Sequence, residues 1–87
     1  MLEVSYAARF VRAYKKFTPL LQEEVKRAIT DFQNPATHER LRVHKLEGRL
    51  QGRYSFSVNY ATRIVFMYLN KDQAVLLTVG DHDVYRS

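Results

Sequence analysis

The sequence predicts an α+β fold in which an N-terminal strand and a two-helix antiparallel hairpin pack on a mainly antiparallel four-stranded sheet. Three observations lead to this prediction. Two stretches before Asn34 repeat apolar residues at helical spacing, residues 53–60 alternate between polar and apolar, and two more apolar runs follow. Because 87 residues provide for one hydrophobic core, we expect residues 1–87 to form a single domain.

The first predicted strand and helix lie at the N-terminus. Leu2 to Ser5 is a short apolar run typical of a strand, and the Ser5 hydroxyl can cap a helix that begins directly after it. In that helix Tyr6, Phe10 and Tyr14 recur every fourth residue and form one apolar stripe, which we expect in the core. The opposite side of the helix is basic and carries Arg9, Arg12, Lys15 and Lys16.

The second predicted helix has signals at both ends. Thr18 and Pro19 are typical of an N-cap and a first helical residue, because the amide hydrogen that proline lacks would have no partner there. Asn34 and Pro35 end the helical pattern. The short connection between the two helices predicts a hairpin. The buried face of the second helix is predicted to contain Leu21, Val25, Ala28, Ile29 and Phe32.

The segment 36–52 follows neither the helical nor the strand period, so we expect a loop. Gly48 and Gly52 are its expected turn points. Basic side chains are dense in this segment: Arg40, Arg42, His44, Lys45 and Arg49.

Three antiparallel strands are predicted after the loop. Residues 53–60 form a half-buried strand, Arg63 to Leu69 has the nearly continuous apolar character of the most buried strand, and residues 74–79 complete a meander. The apolar face of the first of these strands carries Tyr54, Phe56, Val58 and Tyr60, and its polar face carries Arg53, Ser55, Ser57 and Asn59.

The last strand determines where one candidate residue points. Leu76, Thr78 and Gly80 are in phase with His82, so we expect His82 near the end of the polar face of the sheet. Strand register decides whether this residue lies beside Ser55 and Ser57, and the sequence leaves that register open.

The net charge of +5 is concentrated in the middle of the chain. Residues 38–63 contain six Lys and Arg against two Asp and Glu. A basic block beside aromatic residues favours binding to RNA phosphates, because neutralised phosphates release their counterions. An acidic protein segment would fit the same block, and basic charge that serves solubility alone is a third explanation.

Several classes of protein are excluded or disfavoured by composition. The absence of cysteine excludes disulfides and thiolate metal sites, and His82 with Asp83 lacks further ligands at metal-binding spacing. No apolar run approaches the roughly 18 residues that span a bilayer, and we see no secretory signal. No Gly-rich phosphate loop or G-x-S-x-G motif occurs. We therefore expect a cytoplasmic protein without a membrane partner or a metal.

The side chains suited to chemistry are few: His44, Arg63, His82 and Tyr85. Metal-free RNA cleavage by the 2′-OH needs a base, an acid for the 5′-oxygen and positive charge for the phosphorane. Imidazoles can transfer protons, a guanidinium can hold a phosphate, and a phenol can stack on a base. Each also has a structural explanation, as a solvated histidine, an arginine paired with a carboxylate or a core tyrosine. Their convergence around one phosphodiester would favour the chemical role.

Three segments carry a family resemblance. VHKLEGRLQGRYSFSV runs from Val43 to Val58, RIVF occupies residues 63–66, and VGDHDVY runs from Val79 to Tyr85. Together they resemble the RelE/ParE superfamily of toxins over nearly the whole chain. The resemblance implies the RelE-like α+β fold, which agrees with the predicted order of strands and helices.

This resemblance implies a toxin of a type II toxin–antitoxin pair. The RelE branch cuts messenger RNA on the ribosome without a metal or cofactor, whereas the ParE branch inhibits DNA gyrase. Similarity to the YafQ-like members implies that His44 transfers a proton or contacts the phosphate and that Arg63 stabilises transition-state charge. It also implies that His82 is the general acid and that Tyr85 stacks on or orients a base.

The same resemblance implies an RNA-binding surface that contains Lys45, Arg49, Arg53 and Ser57. Ser57 stands where YafQ-like members have a further histidine, so the identity of the general base is open and His44 is the preferred candidate.

The implied partners are messenger RNA, the ribosome and a cognate antitoxin that forms a hetero-oligomer with the toxin. An acidic or amphipathic antitoxin segment would become ordered on the helical and basic surfaces. Two alternatives remain: a noncatalytic ParE-like gyrase inhibitor, and a noncatalytic relic that only binds its antitoxin. The presence of His82 and Tyr85 favours the nuclease over the gyrase inhibitor.

Overall fold

The computed structural model describes residues 1–81 and residue 84. Its helices are α1 (Ala8–Lys15) and α2 (Pro19–Phe32), and short 3₁₀ turns span Pro35–Thr37 and Gly48–Leu50. Its strands are β1 (Glu3–Tyr6), β2 (His44–Lys45), β3 (Tyr54–Ser57), β4 (Arg63–Asn70) and β5 (Gln73–Gly80). The predicted order of strand, two helices and further strands is confirmed.

The strands form one sheet in the order β1-β5-β4-β3-β2. β1 runs parallel to β5, and every other neighbouring pair is antiparallel. The prediction of a mainly antiparallel sheet is therefore confirmed, but its strand number of four was one too low. The fifth strand is β2, which lies in the segment expected to be a loop. Its two residues are too few to show an alternating pattern, and pairing with β3 is what makes them a strand.

The start of α1 differs from the prediction. Ser5 does not cap the helix, because it pairs with Val75 as part of β1. The backbone amide of Ala7 donates to the Leu76 carbonyl at 2.9 Å, which keeps the chain extended up to the N-cap residue Ala7. Pairing with a distant strand therefore delays the helix to Ala8. No described side chain caps it.

The start of α2 follows the prediction. The Thr18 hydroxyl accepts a hydrogen bond from the Leu21 amide at 3.3 Å, and Pro19 is the first helical residue. Most of the predicted apolar face is buried, with Leu21 half-buried at its edge. Its buried residues are Val25, Ala28, Ile29 and Phe32.

Phe32 lies at the centre of the core. Its ring stacks on Phe56 at a centroid distance of 4.4 Å and meets the Phe66 ring edge-on at 4.6 Å. All three rings are fully buried. His38 stacks on Phe32 at 5.0 Å, so this histidine is half-buried and not a solvated surface residue. Aromatic pairs of this kind each add about 0.5–1.5 kcal/mol beyond the burial of their area.

Strand pairing separates the sheet into two faces. The helix-covered face carries Tyr54, Phe56, Ile64, Phe66, Leu76 and Val79. The second surface, which we call the polar face, contains two rows of paired residues. One row is His44, Ser55, Val65 and Thr78, and the next row is Ser57, Arg63 and Gly80.

A β-bulge in β5 changes which residues of this strand face the helices. The pairing shifts between Val65–Thr78 and Phe66–Leu76, so Leu77 is the extra residue. Leu76 consequently lies on the helix-covered face, whereas Thr78 and Gly80 lie on the polar face. The prediction that these three residues share one face was wrong, because an inserted residue reverses the alternation.

Candidate active site

His44 is exposed on β2, directly opposite Ser55 of β3. Its Nδ1 donates a hydrogen bond to the Arg42 carbonyl at 2.8 Å, because a carbonyl oxygen can only accept. In the neutral ring this contact places the proton on Nδ1 and leaves the lone pair on Nε2. The Ser55 hydroxyl lies 3.4 Å from Nε2, which is long for a hydrogen bond. His44 is therefore held in the tautomer that can accept a proton through Nε2.

The carbonyl that orients His44 belongs to an unusual backbone turn. Arg42 has a φ of 59°, in the left-handed region that favours glycine. Its amide donates to the Glu39 carbonyl at 3.1 Å, and the Val43 amide donates to the His38 carbonyl at 3.0 Å. These two bonds are those of a Schellman motif with Arg42 at the C′ position. The turn leads directly into β2 and thereby places the Arg42 carbonyl beside the imidazole.

Ser55 and Ser57 lie on the polar face as the alternation predicted. Ser55 is fully buried between its strand neighbours His44 and Val65, although the sequence places it among polar surface residues. Ser57 is half-buried and lies directly opposite Arg63. The structure therefore brings His44 beside Ser55 and brings Ser57 beside Arg63.

Arg63 begins β4 and is half-buried. Its Nη1 donates to the carbonyl oxygens of Asn59 at 2.7 Å and Tyr60 at 2.9 Å, which lie in the turn between β3 and β4. Across residues 1–81 and Val84, Arg63 forms no ion pair, so the alternative of a carboxylate partner finds no support there. Backbone carbonyls of the turn therefore position the guanidinium.

His44 and Arg63 share the polar face but are not in contact. His44 lies on β2 and Arg63 on β4, with β3 between them, and the two residues are offset by two positions along the strands. This corresponds to roughly 12 Å between their Cα atoms. The Arg63 guanidinium points toward the turn it caps. A phosphodiester lying between the two side chains would have the imidazole on one side and the guanidinium on the other.

The basic loop forms a cavity at the β2 edge of the sheet. Lys45, Arg53 and Tyr54 line a space of about 590 Å³ together with the turns at Gly48 and Gly52. Both glycines have positive φ, 67° and 88°, so the predicted turn points are confirmed. Within this loop the side chain of Leu50 is buried. Arg49 is exposed within the same loop, in the short 3₁₀ turn.

Val84 packs against Gly80 at the β5 end of the polar face. A Cβ added to Gly80 would lie 2.9 Å from Val84 Cγ1, so the absence of a side chain at Gly80 makes room for the valine. Gly80 is paired with Arg63, and Val84 therefore packs next to the Arg63 row. His82 and Tyr85, two of the predicted catalytic residues, lie outside the described residues.

Two side chains outside the polar face have shifted pKa values. Burial raises the pKa of the Tyr68 phenol, with a smaller contribution from Tyr54. Glu23 raises the pKa of the exposed Lys26 ammonium. In the described part of the chain, no three His, Asp or Glu side chains cluster closely enough to hold a metal ion. No described helix has the length and apolar character needed to cross a membrane.

Sequence reasoning missed Arg42, Ser55 and Val84. No sequence signal marks Arg42, because the residue in a Schellman turn is usually glycine. Ser55 carried the alternation signal but was interpreted as a surface residue. Val84 was overlooked because its contact with Gly80 depends on the turn at Asp81, whose carbonyl accepts from the Val84 amide at 3.1 Å.

No protein-family model matches this sequence, and no curated protein matches it. Solved structures do. A YoeB–YefM complex from Staphylococcus aureus contains a chain that matches with a TM-score of 0.74 at 17% identity, covering 94% of this chain and 98% of that one. YafQ from E. coli matches with a TM-score of 0.71 at 16% identity over 100% of both chains. A YoeB/ParE toxin from Agrobacterium tumefaciens matches with a TM-score of 0.68 at 12% identity, over 93% and 99%.

The chain has the RelE-like fold. The similarity extends over nearly the whole length of this chain and of each toxin chain. At these identities it is a similarity of fold. Because YafQ and a YoeB/ParE toxin share the fold, the fold alone does not choose between the two functional branches.

Proposed function

We propose that this chain is the toxin of a type II toxin–antitoxin system and cleaves messenger RNA without a metal, acting in the cytoplasm on translating ribosomes. The observation that carries the proposal is His44, whose Nδ1 is bound by the Arg42 carbonyl while Nε2 faces the polar surface. An exposed imidazole held in this tautomer can accept a proton from a bound RNA 2′-OH. The full-length similarity to toxin structures supports the same assignment.

The proposed reaction begins with proton transfer to His44. Nε2 accepts the proton of an RNA 2′-OH, and the 2′-oxygen attacks the adjacent phosphorus. The O2′–P bond forms as the P–O5′ bond breaks, which gives a 2′,3′-cyclic phosphate and a 5′-hydroxyl. Arg63 supplies positive charge to the phosphorane oxygens. In this proposal His82 protonates the leaving 5′-oxygen, and Tyr85 stacks on a neighbouring base.

The basic loop is the proposed contact for the RNA backbone. Lys45 and Arg53 line one cavity beside β2, and Arg49 is exposed next to it. Ser57 lies between this loop and Arg63 on the polar face, where its hydroxyl can bind a phosphate oxygen. Glu47 also lines the cavity, so the proposed contact combines Lys45, Arg49 and Arg53 with one acidic residue beside the strand that carries His44.

A cognate antitoxin is the proposed protein partner. The Staphylococcus aureus structure is of a YoeB–YefM complex, and the fold similarity supports a comparable hetero-oligomer here. We expect the antitoxin to present an acidic or amphipathic segment to the basic surfaces of this chain.

The deciding experiment maps the ends of messenger RNA in a translating extract to which the purified protein is added. We expect new 5′-hydroxyl ends within coding sequence, paired with 2′,3′-cyclic phosphate ends. Metal-assisted hydrolysis by activated water would instead leave a 5′-phosphate. His44→Ala and Arg63→Ala should abolish the new ends, and Arg27→Ala, which removes an exposed arginine of α2, should retain them.

A gyrase supercoiling assay run beside it tests the ParE-like alternative. Intact message together with inhibited supercoiling would overturn the nuclease proposal in favour of a gyrase inhibitor. Intact message and active gyrase, with a tight antitoxin complex, would identify a noncatalytic relic.

A further inference from the structure

A second basic surface lies on the opposite side of the polar face from the loop. Arg9 and Arg12 of α1, together with its C-cap residue Lys16, line a cleft of about 460 Å³ whose other wall is the end of β5. Their spacing of three and four residues places them on one side of the helix. The opposite side of the helix holds Phe10 in the core. The cleft is therefore a concave surface on which three basic side chains lie close together.

The cations of this cleft are unpaired in the described structure. The two ion pairs among residues 1–81 and Val84 are Lys26–Glu23 and Arg40–Asp31, and neither involves the cleft. Among the described residues that line the cleft, one is acidic, Asp81, and three are basic. The cleft thus keeps a positive excess that a phosphate backbone could neutralise.

The cleft is continuous with the polar face. Thr78 and Gly80 line the cleft, and they also end the two rows of paired residues that contain His44 and Arg63. The strands from β2 to β5 span about 14 Å at ordinary strand spacing. The loop cavity lies at one end of this span and the cleft at the other.

We propose that the α1 cleft formed by Arg9, Arg12 and Lys16 is a phosphate-binding site for single-stranded RNA, on the far side of the cleavage position from Lys45 and Arg53. The inference rests on the proposed function for the choice of RNA as polyanion. Its geometric basis is independent of the catalytic residues. An RNA strand would then be held at both ends, with the scissile phosphate on the polar face between them.

The test measures binding of a fluorescent, 2′-O-methylated RNA oligonucleotide by anisotropy over a series of salt concentrations. The methyl groups prevent cleavage, so binding is measured without reaction. The cleft variant is Arg9→Gln/Arg12→Gln/Lys16→Gln. The matched control is Lys15→Gln/Lys26→Gln/Arg27→Gln, which removes the same charge from exposed positions outside the cleft.

We expect the cleft variant to lower affinity at least about tenfold at low salt and to reduce the slope of log affinity against log salt by about 2, since each phosphate contact contributes roughly 0.7. The control should change affinity by under about threefold. Equal losses in both variants, or no loss in the cleft variant, would overturn the inference. So would a cleft variant that keeps RNA binding and loses only binding of polyglutamate, which would assign the cleft to an acidic protein segment.

The outcome can be separated from that of the proposed function. If the protein cleaves RNA and the cleft variant binds RNA normally, the nuclease proposal stands and the cleft proposal fails. If RNA binding depends on the cleft but the protein cleaves no RNA, the cleft proposal stands and the nuclease proposal fails. Arg12→Gln alone keeps the test valid if the triple variant does not fold, with an expected loss of slope of about 0.7.

Discussion

Two histidines, six residues apart, show how differently the two faces of the sheet use the same side chain. Each ring donates one N–H to a backbone carbonyl at 2.8 Å: His38 through Nε2 to Phe32, and His44 through Nδ1 to Arg42. His38 is half-buried and stacks on the ring of Phe32, the α2 residue that packs against the helix-covered face. His44 is exposed on the polar face, with its second nitrogen directed at Ser55.

The difference lies in what surrounds the second ring nitrogen and the ring plane. The His38 ring is a packing element, because its plane extends the aromatic stack that Phe32 forms with Phe56. The His44 ring makes no aromatic contact within the described residues, and its Nε2 is at the surface of the sheet. A hydrogen bond to a carbonyl therefore stabilises the fold in one case and orients a proton acceptor in the other.

The largest expected effect separates these two roles. His44→Ala should lower the rate of RNA cleavage on the order of 10²–10⁴-fold, the usual contribution of a general base. The free energy of unfolding should change by less than about 0.5 kcal/mol, because the side chain is exposed. Initial cleavage rates and urea unfolding followed by far-UV circular dichroism measure both quantities; the chain has no tryptophan to report on unfolding.

His38→Ala is the matched control and should show the opposite pattern. It removes a hydrogen bond and an aromatic contact, so the free energy of unfolding should fall by about 1–2 kcal/mol. Cleavage by the folded variant should stay within about threefold of the original protein. Comparable loss of cleavage in both variants would show that His44 acts through stability and has no chemical role of its own.

A second prediction concerns the end of the polar face, where Val84 packs on Gly80. Gly80→Ala places a methyl group 2.9 Å from Val84 Cγ1, and overpacking of this kind costs about 1–3 kcal/mol. We expect cleavage to fall by about tenfold as well, because Gly80 is paired with Arg63, and because Val84 is followed in the chain by Tyr85 and comes two residues after His82.

Val84→Ala tests whether this contact is the cause. If the valine must move to admit the new methyl group, the double variant should recover part of the stability lost by Gly80→Ala. A coupling energy of at least about 0.5 kcal/mol in a double-mutant cycle would confirm the contact. Additive effects would show that Gly80 tolerates a side chain and that Val84 is not positioned by it.

The helix-covered face was predictable from the sequence because its signals are local. Helical spacing identified Phe32, and the Thr18–Pro19 pair located the start of α2. Alternation placed Phe56 on the buried side of β3. In each case the residues that carry the signal also make the contact, so short-range patterns sufficed.

The polar face was only partly predictable because it is assembled from pairing between distant segments. The register that places His44 opposite Ser55 depends on a two-residue strand without a pattern of its own. The bulge at Leu77 reversed the expected phase of β5, and no residue type announces it. Alternation still identified Ser57 and Arg63 as neighbours of this surface, but their pairing became visible only in the structure.

The smallest expected effect concerns the turn that orients His44. The left-handed backbone at position 42 costs an L-residue about 1–2 kcal/mol, and glycine avoids this cost. Glycine also loses about 0.5–1 kcal/mol more chain entropy on folding, which cancels part of that advantage. Arg42→Gly should therefore raise the free energy of unfolding by about 0.5–1 kcal/mol relative to Arg42→Ala, as measured by urea unfolding. Arg42→Val should be the least stable of the three, since β-branched residues tolerate this region poorly.

All three variants lose the same arginine side chain, so differences among them report on the backbone alone. If the Arg42 carbonyl holds the tautomer of His44, cleavage should be equal in the glycine and alanine variants, which can both keep the turn, and lower in the valine variant. Cleavage that stays constant while stability falls from glycine to valine would mean that the imidazole is oriented by the RNA itself. The polar face would then resemble the helix-covered face in having a histidine whose carbonyl contact serves only the fold.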